Sequence, residues 1–257
     1  KADWSYVGPL REALQDLLSY GELSGFSADF SEWHAEISNL KTEYALDFDR
    51  ESGLIQPHYV LETMNRITRG EAIISTGVGQ HQMWAAQHYH FTEANTWITS
   101  GGLGTMGFEV PAALGAKLAR PEKTVWSVAG DGGFQMTMCD LSTAVENNIE
   151  VKFAILNNGT LGMVRQLQDL FYENGFVASL YSGNPDFVKL ADAYGITGIK
   201  VTDKSQVAHA IQTAMDTPGP VIIDFIVKQD EHVFPMIPAG ESVNEMMEEP
   251  STESVST

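Results

Sequence analysis

Short apolar runs rich in β-branched residues alternate with helical patterns through most of the chain, and this alternation limits the folds open to it. We predict six strands, at residues 72–76, 96–99, 124–129, 151–156, 198–201 and 221–227. Helical patterns cover residues 57–68, 79–87, 108–119, 136–147, 161–172, 185–194 and 205–215. This order is typical of crossovers onto a parallel sheet. It predicts a doubly wound α/β fold, with a six-stranded, mainly parallel sheet and helices on both faces.

The alternation of strands and helices occupies the middle of the chain, which predicts three parts. Residues 1–54 carry two amphipathic helical patterns, at 8–20 and 31–46, and we interpret them as the end of a preceding domain plus a linker. Residues 55–228 hold all six predicted strands and form the main domain. Residues 229–257 carry Pro235 and Pro238 and then five Glu, with no Lys or Arg after Gly240. This composition indicates an arm followed by a flexible acidic tail.

The net charge of −19 narrows the range of partners. Binding to nucleic acid draws on clustered basic residues, so we expect no nucleic-acid partner, and an anionic ligand must be held by local groups. No apolar run approaches the length of a membrane span, so we expect no membrane insertion. The lone Cys139 excludes an internal disulfide, and we expect it to be buried on a helix. Cysteine usage and the lack of a signal-peptide pattern favour the cytoplasm, or an organelle if a transit peptide was removed.

Two glycine-containing motifs follow neighbouring predicted strands. The strand at 124–129 runs into Gly130-Asp131-Gly132-Gly133, and the strand at 151–156 runs into Asn157-Asn158-Gly159-Thr160. A single helix is predicted between them, so both motifs reach the same edge of the sheet, where ligands of such folds bind. Asp131, the Asn158 amide oxygen and the Thr160 carbonyl form an oxygen ligand set of the kind that suits Mg2+ beside a diphosphate. Alone, each motif is an ordinary turn.

Together the two motifs resemble the signature of enzymes that use thiamine diphosphate (ThDP) and Mg2+. Further segments are similar, in order, to acetohydroxyacid synthases (acetolactate synthases): GVGQHQMWAAQ at 77–87, SGGLGTMGFEVPAALGAK at 100–117, GDGGFQM at 130–136, NNGTLGMVRQ at 157–166 and VFPMIPAG at 233–240. The resemblance covers residues 53–240 and identifies the chain as the C-terminal, diphosphate-binding portion of a catalytic subunit. It implies the ThDP-binding version of the α/β fold.

The resemblance also implies roles for individual residues. Met106 supports the bent cofactor, the Gly104 carbonyl accepts a hydrogen bond from its aminopyrimidine ring, and Met163 contacts the same region. The remaining implied cofactor-binding residues are Val78, Gly79, Gln80, His81, Gly130, Gly132, Gly133 and Gly162. Without the resemblance, Met106 and Met163 are ordinary core residues, and His81 is a solvated residue at a helix start.

The implied activity joins two pyruvate molecules into 2-acetolactate and CO2, or pyruvate and 2-ketobutyrate into 2-aceto-2-hydroxybutyrate, in branched-chain amino acid biosynthesis. Another ThDP-dependent decarboxylase or oxidase of 2-keto acids is the alternative enzyme, and a catalytically dead ThDP-binding or regulatory protein is a non-enzymatic one. In the family, the Glu that activates the cofactor ring lies in an N-terminal domain. We therefore expect this chain to hold only part of the active site, either as a fragment or as a separate subunit.

Four further expectations depend on the resemblance. It implies a homodimer or higher homo-oligomer, and it allows a regulatory small subunit. FAD is expected in the complete enzyme, and Gln82 and Gly101 are the positions nominated here for contact with it. Leu167 occupies the place of a Trp found in many relatives, which implies a substrate-pocket position with an altered acceptor preference.

Overall fold

A computed structural model describes residue 3 and residues 5–248, so the predicted acidic tail after 248 lies outside the described residues. The chain divides into two compact units, Lys1–Asp47 and Phe48–Thr257. The first unit contains α1 (Leu10–Ser24) and α2 (Ser31–Glu43), and neither helix has a buried residue. The predicted parts, with boundaries at 54 and 228, stay a prediction.

The second unit is built on one six-stranded sheet. Its strands are β1 (Ile73–Thr76), β2 (Trp97–Thr99), β3 (Val125–Gly130), β4 (Lys152–Asn157), β5 (Thr197–Val201) and β6 (Val221–Ile226). Their order is β2-β1-β3-β4-β6-β5, and every neighbouring pair is parallel. The predicted α/β fold with a parallel sheet is thereby confirmed. All six predicted strands form, each within about one residue of its expected ends.

Helices cover both faces of the sheet. They are α3 (Pro57–Thr68), α4 (Gln80–His88), α5 (Glu109–Ala119), α6 (Asp131–Thr137), α7 (Leu141–Glu146), α8 (Gly162–Phe171), α9 (Phe187–Ala193) and α10 (Val207–Asp216). Alternating strand residues supply two separate cores, so Ile74 packs with α3, α4 and α10, whereas Ile73 packs with α5, α7 and α9. Because both faces are covered, the central strands β3, β4 and β6 are buried along nearly their whole length and are mainly apolar.

The connection from β3 to β4 differs from the single helix predicted at 136–147. Helix α6 begins at Asp131, directly after β3, and a 3-10 turn at Met138–Asp140 separates it from α7. Glycines at 132 and 133 hid this start from sequence patterns, whereas an acidic first residue favours a helix N-terminus. Cys139 lies on the 3-10 turn and is exposed, so its predicted burial is wrong.

No helix among the described residues is both long enough and apolar enough to cross a membrane.

Candidate functional site

A cleft lies at the carboxyl ends of β1, β3 and β4. Because β3 and β4 are neighbours in register, with Gly130 opposite Leu156, the residues that follow them emerge side by side. Of the residues predicted to bind ThDP and the metal, all except Gly104 line this cleft. The other lining residues, for which no role was predicted, are Trp84, Leu156, Leu161 and Val164.

Asp131 is the carboxylate of the cleft, and its burial is the dominant electrostatic feature. The residue is 1% exposed. Its Oδ1 accepts a hydrogen bond from the Gly132 amide at 3.0 Å, and its Oδ2 accepts from the Gly159 amide at 2.9 Å and from Asn184 Nδ2 at 2.5 Å. Desolvation raises the pKa of Asp131 to about 6, although these donors oppose the rise. A cation beside this carboxylate would remove the cost of burying its charge.

Asn158 and Thr160 stand opposite Asp131 on the turn after β4. The Asn158 Oδ1 accepts from the Thr160 amide at 3.1 Å, and its Nδ2 donates to Gln80 Oε1 at 3.3 Å. Thr160 is 3% exposed, and its hydroxyl oxygen has no hydrogen-bond partner among the described residues. Asp131, Asn158 and Thr160 therefore line the same cleft, and their role as metal ligands stays a prediction.

Asn184 joins this arrangement without any signal in the sequence pattern. Its Nδ2 donates both to Asp131 Oδ2 and to Asn157 Oδ1, the latter at 2.9 Å. Asn157 in turn donates through Nδ2 to Asp224 Oδ1 at 2.9 Å. These hydrogen bonds connect the Asp131 carboxylate to β6. Asn184, which lies 53 positions after Asp131, therefore helps to hold that carboxylate in place.

His81 lies inside the cleft as a neutral imidazole. It is 6% exposed, and desolvation lowers its pKa to about 4. A Cβ placed on Gly130 would lie 3.0 Å from His81 Nδ1, so the imidazole ring packs directly against the strand end that precedes Asp131. Its Nε2 is buried and has no hydrogen-bond partner among the described residues. This nitrogen is therefore available to a ligand.

Two glycines keep the cleft open. A Cβ at Gly132 would lie 2.3 Å from the Tyr181 hydroxyl oxygen, and one at Gly162 would lie 2.0 Å from Gln80 Oε1. Any larger residue at either position would push these side chains out of place. Glycine therefore lets the backbone approach close to whatever occupies the cleft.

The remaining predicted residues lie at varying distances from the cleft. Met106 and Met163 are half-buried and line it, whereas Gly104 is exposed and its added Cβ would lie 3.9 Å from Val78 Cγ1. Leu167 is 41% exposed on α8 and lies outside the lining.

The two positions nominated for FAD contact lie outside the cleft. Gln82 Nε2 donates to the Thr99 hydroxyl oxygen at 2.8 Å, and Gly101 is exposed.

Glu109 is a buried acid that the sequence patterns did not predict. It begins α5, is fully buried, and neither carboxyl oxygen has a hydrogen-bond partner among the described residues. Desolvation raises its pKa to about 7, against the lowering effect of nearby backbone N–H groups, including that of Gly107. A Cβ on Gly77 would lie 1.9 Å from its Oε2, and one on Gly133 would lie 2.7 Å from its Oε1. Glu109 therefore fills the space beneath two loops of the cleft.

No Lys or Arg lines the cleft in the part of the chain that the structure describes. An anionic ligand there would meet backbone amides, a neutral imidazole and the Asp131 carboxylate. A divalent cation between Asp131 and the anion would offset the repulsion between their negative charges. The oxygen donors of the cleft suit Mg2+. The donor set therefore fits a diphosphate bound through a metal.

Comparison with known proteins agrees with this geometry. The family profile described as "Thiamine pyrophosphate enzyme, C-terminal TPP binding domain" matches residues 77–225. The acetolactate synthase large subunit of Corynebacterium glutamicum is 46% identical over 243 residues, which cover 92% of this chain and 39% of that protein. The large subunit from Haemophilus influenzae is 43% identical over 244 residues, which cover 94% of this chain and 43% of that protein.

A plant relative is similar to the same extent. Acetolactate synthase 2, chloroplastic, of Nicotiana tabacum is 42% identical over 255 residues, which cover 95% of this chain and 38% of that protein. The chain spans about two fifths of the length of these curated relatives. Since the profile matches more than half of the chain, and includes both motifs of the cleft, the chain belongs to the thiamine pyrophosphate enzymes and carries their C-terminal TPP-binding domain.

Proposed function

We propose that this chain is the diphosphate- and Mg2+-binding part of an acetolactate synthase catalytic subunit. The complete protein would convert two pyruvate molecules to 2-acetolactate and CO2, and pyruvate plus 2-ketobutyrate to 2-aceto-2-hydroxybutyrate. The observation that carries the proposal is the meeting of Asp131 and Asn158 across one cleft at the carboxyl ends of β3 and β4. Similarity to acetolactate synthases over more than nine tenths of the chain supports the choice of reaction.

Different residues of the cleft would bind the metal and the diphosphate. Asp131, the Asn158 amide oxygen and the Thr160 carbonyl would hold Mg2+, and the diphosphate would supply further oxygen ligands. His81 offers a neutral nitrogen on the diphosphate side, because burial keeps its imidazole uncharged. Gly132 and Gly162 leave the space through which a diphosphate passes close to the backbone.

Thiamine diphosphate, when bound, supplies the nucleophilic carbon and the electron sink for decarboxylation and ligation of 2-keto acids. The task of this chain is to hold that group in place and keep water from it. Met106, Met163 and Leu161 give the cleft an apolar wall. The proposed reaction does not need an acidic or basic residue of the matching motifs as a conventional general base.

Several features of the complete protein belong to the same proposal. We expect a homodimer or higher homo-oligomer with FAD bound, an activating Glu supplied from outside this chain, and in some settings a regulatory small subunit. The cytoplasm or an organelle is the expected location. The relative from Nicotiana tabacum is named as a chloroplastic enzyme.

Replacing Asp131 by Ala tests the proposed metal site in the full-length protein. We expect Mg2+-dependent binding of ThDP to weaken by roughly 3 to 5 kcal/mol, because the variant removes the buried charge that faces the cation. Titration calorimetry with and without Mg2+ measures this loss. Asp192→Ala, on the exposed side of α9, is the matched control and should bind as wild type does. Wild-type affinity in Asp131→Ala would refute the metal assignment.

Product analysis then separates the proposed reaction from its alternative. The full-length protein is supplied with pyruvate, ThDP and Mg2+, and acetolactate is measured beside acetaldehyde and acetate. Acetolactate as the main product supports the proposal. Acetaldehyde or acetate in its place would identify a decarboxylase or an oxidase.

A further inference from the structure

The segment of residues 229–236 is held by two buried glutamine side chains from different helices. Gln166, on α8, accepts a hydrogen bond from the Val233 amide at 2.8 Å and donates to the Val233 carbonyl oxygen at 3.0 Å. Gln80, at the start of α4, donates through Nε2 to the Glu231 carbonyl oxygen at 2.8 Å. Gln166 is fully buried and Gln80 is 3% exposed, so these bonds are shielded from water. The segment is thus fixed by side chains next to the cleft.

The two glutamines are also bonded to each other and, through Gln80, to the proposed metal ligand. Gln80 Nε2 donates to Gln166 Oε1 at 2.8 Å, and Gln80 Oε1 accepts from Asn158 Nδ2 at 3.3 Å. A continuous chain of hydrogen bonds therefore runs from the backbone of Val233 through Gln166 and Gln80 to Asn158. Three stretches of sequence that are far apart meet in it, around residues 80, 158–166 and 233.

In this series of hydrogen bonds, the orientation of each carboxamide depends on the carboxamide before it. The two ends of a carboxamide have nearly the same shape, so hydrogen bonds alone decide which end is oxygen. The Val233 amide and carbonyl fix Gln166, and Gln166 Oε1 then requires the Nε2 of Gln80 to face it. Gln80 therefore presents Oε1 to Asn158 and directs Asn158 Nδ2 toward itself. The other end, Oδ1, accepts from the Thr160 amide and is the end that a cation could share.

We propose that Gln166 is a positioning residue that couples docking of the 229–236 segment to the orientation of Asn158, and so to binding of Mg2+ and ThDP. The proposal rests on the proposed function, because it takes Asn158 as a metal ligand. Coupling between two sites is reciprocal in free energy, so the cofactor must stabilise the docked segment to the same extent that the docked segment favours the cofactor.

Wild-type protein alone tests one direction of this coupling. Hydrogen exchange of the Val233 amide is measured by mass spectrometry or NMR in the full-length protein, without ligands and then with ThDP and Mg2+. We expect the loaded protein to exchange at Val233 about tenfold more slowly, because by reciprocity the bound cofactor stabilises the docked segment by as much as the docked segment favours the cofactor. Equal exchange in the two states would overturn the proposal, and this comparison needs no variant.

Gln166→Met tests the other direction and is compared with Gln87→Met. Met has the length of Gln without its hydrogen bonds. Gln87 also holds the segment, through a 2.9 Å bond from Nε2 to the Phe234 carbonyl oxygen, but no bond from it to Gln80 or Asn158 is found among the described residues. We expect Q166M to bind Mg2+ and ThDP about tenfold more weakly, and Q87M, which loosens the segment without touching Gln80 or Asn158, to lose clearly less.

The outcomes separate this proposal from the one it rests on. If the wild-type protein binds no ThDP in the presence of Mg2+, the proposed function fails and the coupling fails with it. If wild type binds ThDP but Q166M binds equally well, only the coupling is refuted. If Q87M is weakened as much as Q166M, loosening of the segment alone explains the loss, and the role given to Gln166 is wrong.

Discussion

At the scale of single residues, Glu109 is a carboxylic acid whose ionisation the fold clearly opposes. Its pKa is about 7 in the folded chain against an ordinary value of 4.5, because burial disfavours the charged form. The folded state therefore binds a proton that the unfolded state releases between these two values. The resulting stabilisation is fully present below pH 4.5 and is lost as the pH rises to about 7.

Glu109→Gln is expected to remove this pH dependence, because the amide does not titrate. The quantity to follow is the free energy of unfolding of the variant minus that of wild type. This difference should rise by about 3 kcal/mol between about pH 5 and about pH 8, because only wild type loses stability as Glu109 ionises. Urea unfolding of the chain at the two pH values measures the change. Glu146→Gln removes the same charge from an exposed position and reports the effect of net charge alone. A constant difference between Glu109→Gln and wild type across this range would show that Glu109 titrates as an exposed acid.

Leu167 carries the prediction about acceptor preference. It is 41% exposed on α8, one turn after the cleft residue Val164, so a larger side chain there has room to reach toward the cleft. In the full-length enzyme, Leu167→Trp should raise selectivity for 2-ketobutyrate over pyruvate about tenfold, because the added apolar surface favours the longer acceptor. It should also strengthen inhibition by sulfonylureas. Both products are measured under competition between the two 2-keto acids.

The control for Leu167→Trp is Leu118→Trp, which adds the same surface at an exposed position on α5. The control should leave the product ratio and the inhibition unchanged. If Leu167→Trp also leaves both unchanged, Leu167 does not face the acceptor site, and its exposure reflects only its place on the outer side of α8.

At the scale of elements, the site depends on how closely the start of α8 approaches the start of α4. A Cβ at Gly162 would lie 2.0 Å from Gln80 Oε1 and 2.8 Å from Asn158 Nδ2. Gly162→Ala is therefore expected to displace both side chains and weaken Mg2+-dependent ThDP binding about tenfold, the effect of disturbing one buried polar contact. Calorimetry on the full-length protein measures it.

Gly115→Ala is the matched control, because nothing lies within 4 Å of an added Cβ at that helical glycine. Alanine favours a helix interior over glycine, so this variant should gain up to about 1 kcal/mol of stability and bind the cofactor as wild type does. Unchanged binding in Gly162→Ala would show that α8 can shift outward without disturbing Asn158.

The elements were largely predictable because their signals are local. Apolar runs and glycine-containing ends predicted the six strands, and the positions of Asp131 and Asn158 followed from the order of those strands. The start of α6 was not predictable, because the two glycines after Asp131 have low helix propensity. Only packing in the folded structure compensates for that low propensity. Glu109, Gln166 and Asn184 are joined to the site by tertiary contacts alone, and no spacing in the sequence predicts such contacts.

At the scale of the whole molecule, the cleft is bordered by apolar surface that this chain leaves exposed. Val164 lines the cleft and is 44% exposed, and Leu167 and Phe171 continue the same stripe along α8 at 41% and 44%. Apolar stripes beside a cleft are typical of surfaces that another domain or chain covers. The curated relatives are more than twice as long as the chain, so they contain further sequence that is available for this purpose.

The 257-residue chain alone is therefore expected to form no acetolactate, because it lacks the implied activating Glu and leaves the apolar border of its cleft exposed. Supplying the missing domains, by expressing the full-length protein, should restore the reaction. Acetolactate is measured after incubation of the purified chain with pyruvate, ThDP and Mg2+. A version with Asp131→Ala, purified in the same way, separates the chain's own activity from that of a contaminating host enzyme. Equal traces of product from both preparations would come from the host. Product from the wild-type chain alone would mean that the complete catalytic apparatus lies within these residues, and that the assignment of this chain to one half of a shared active site is wrong.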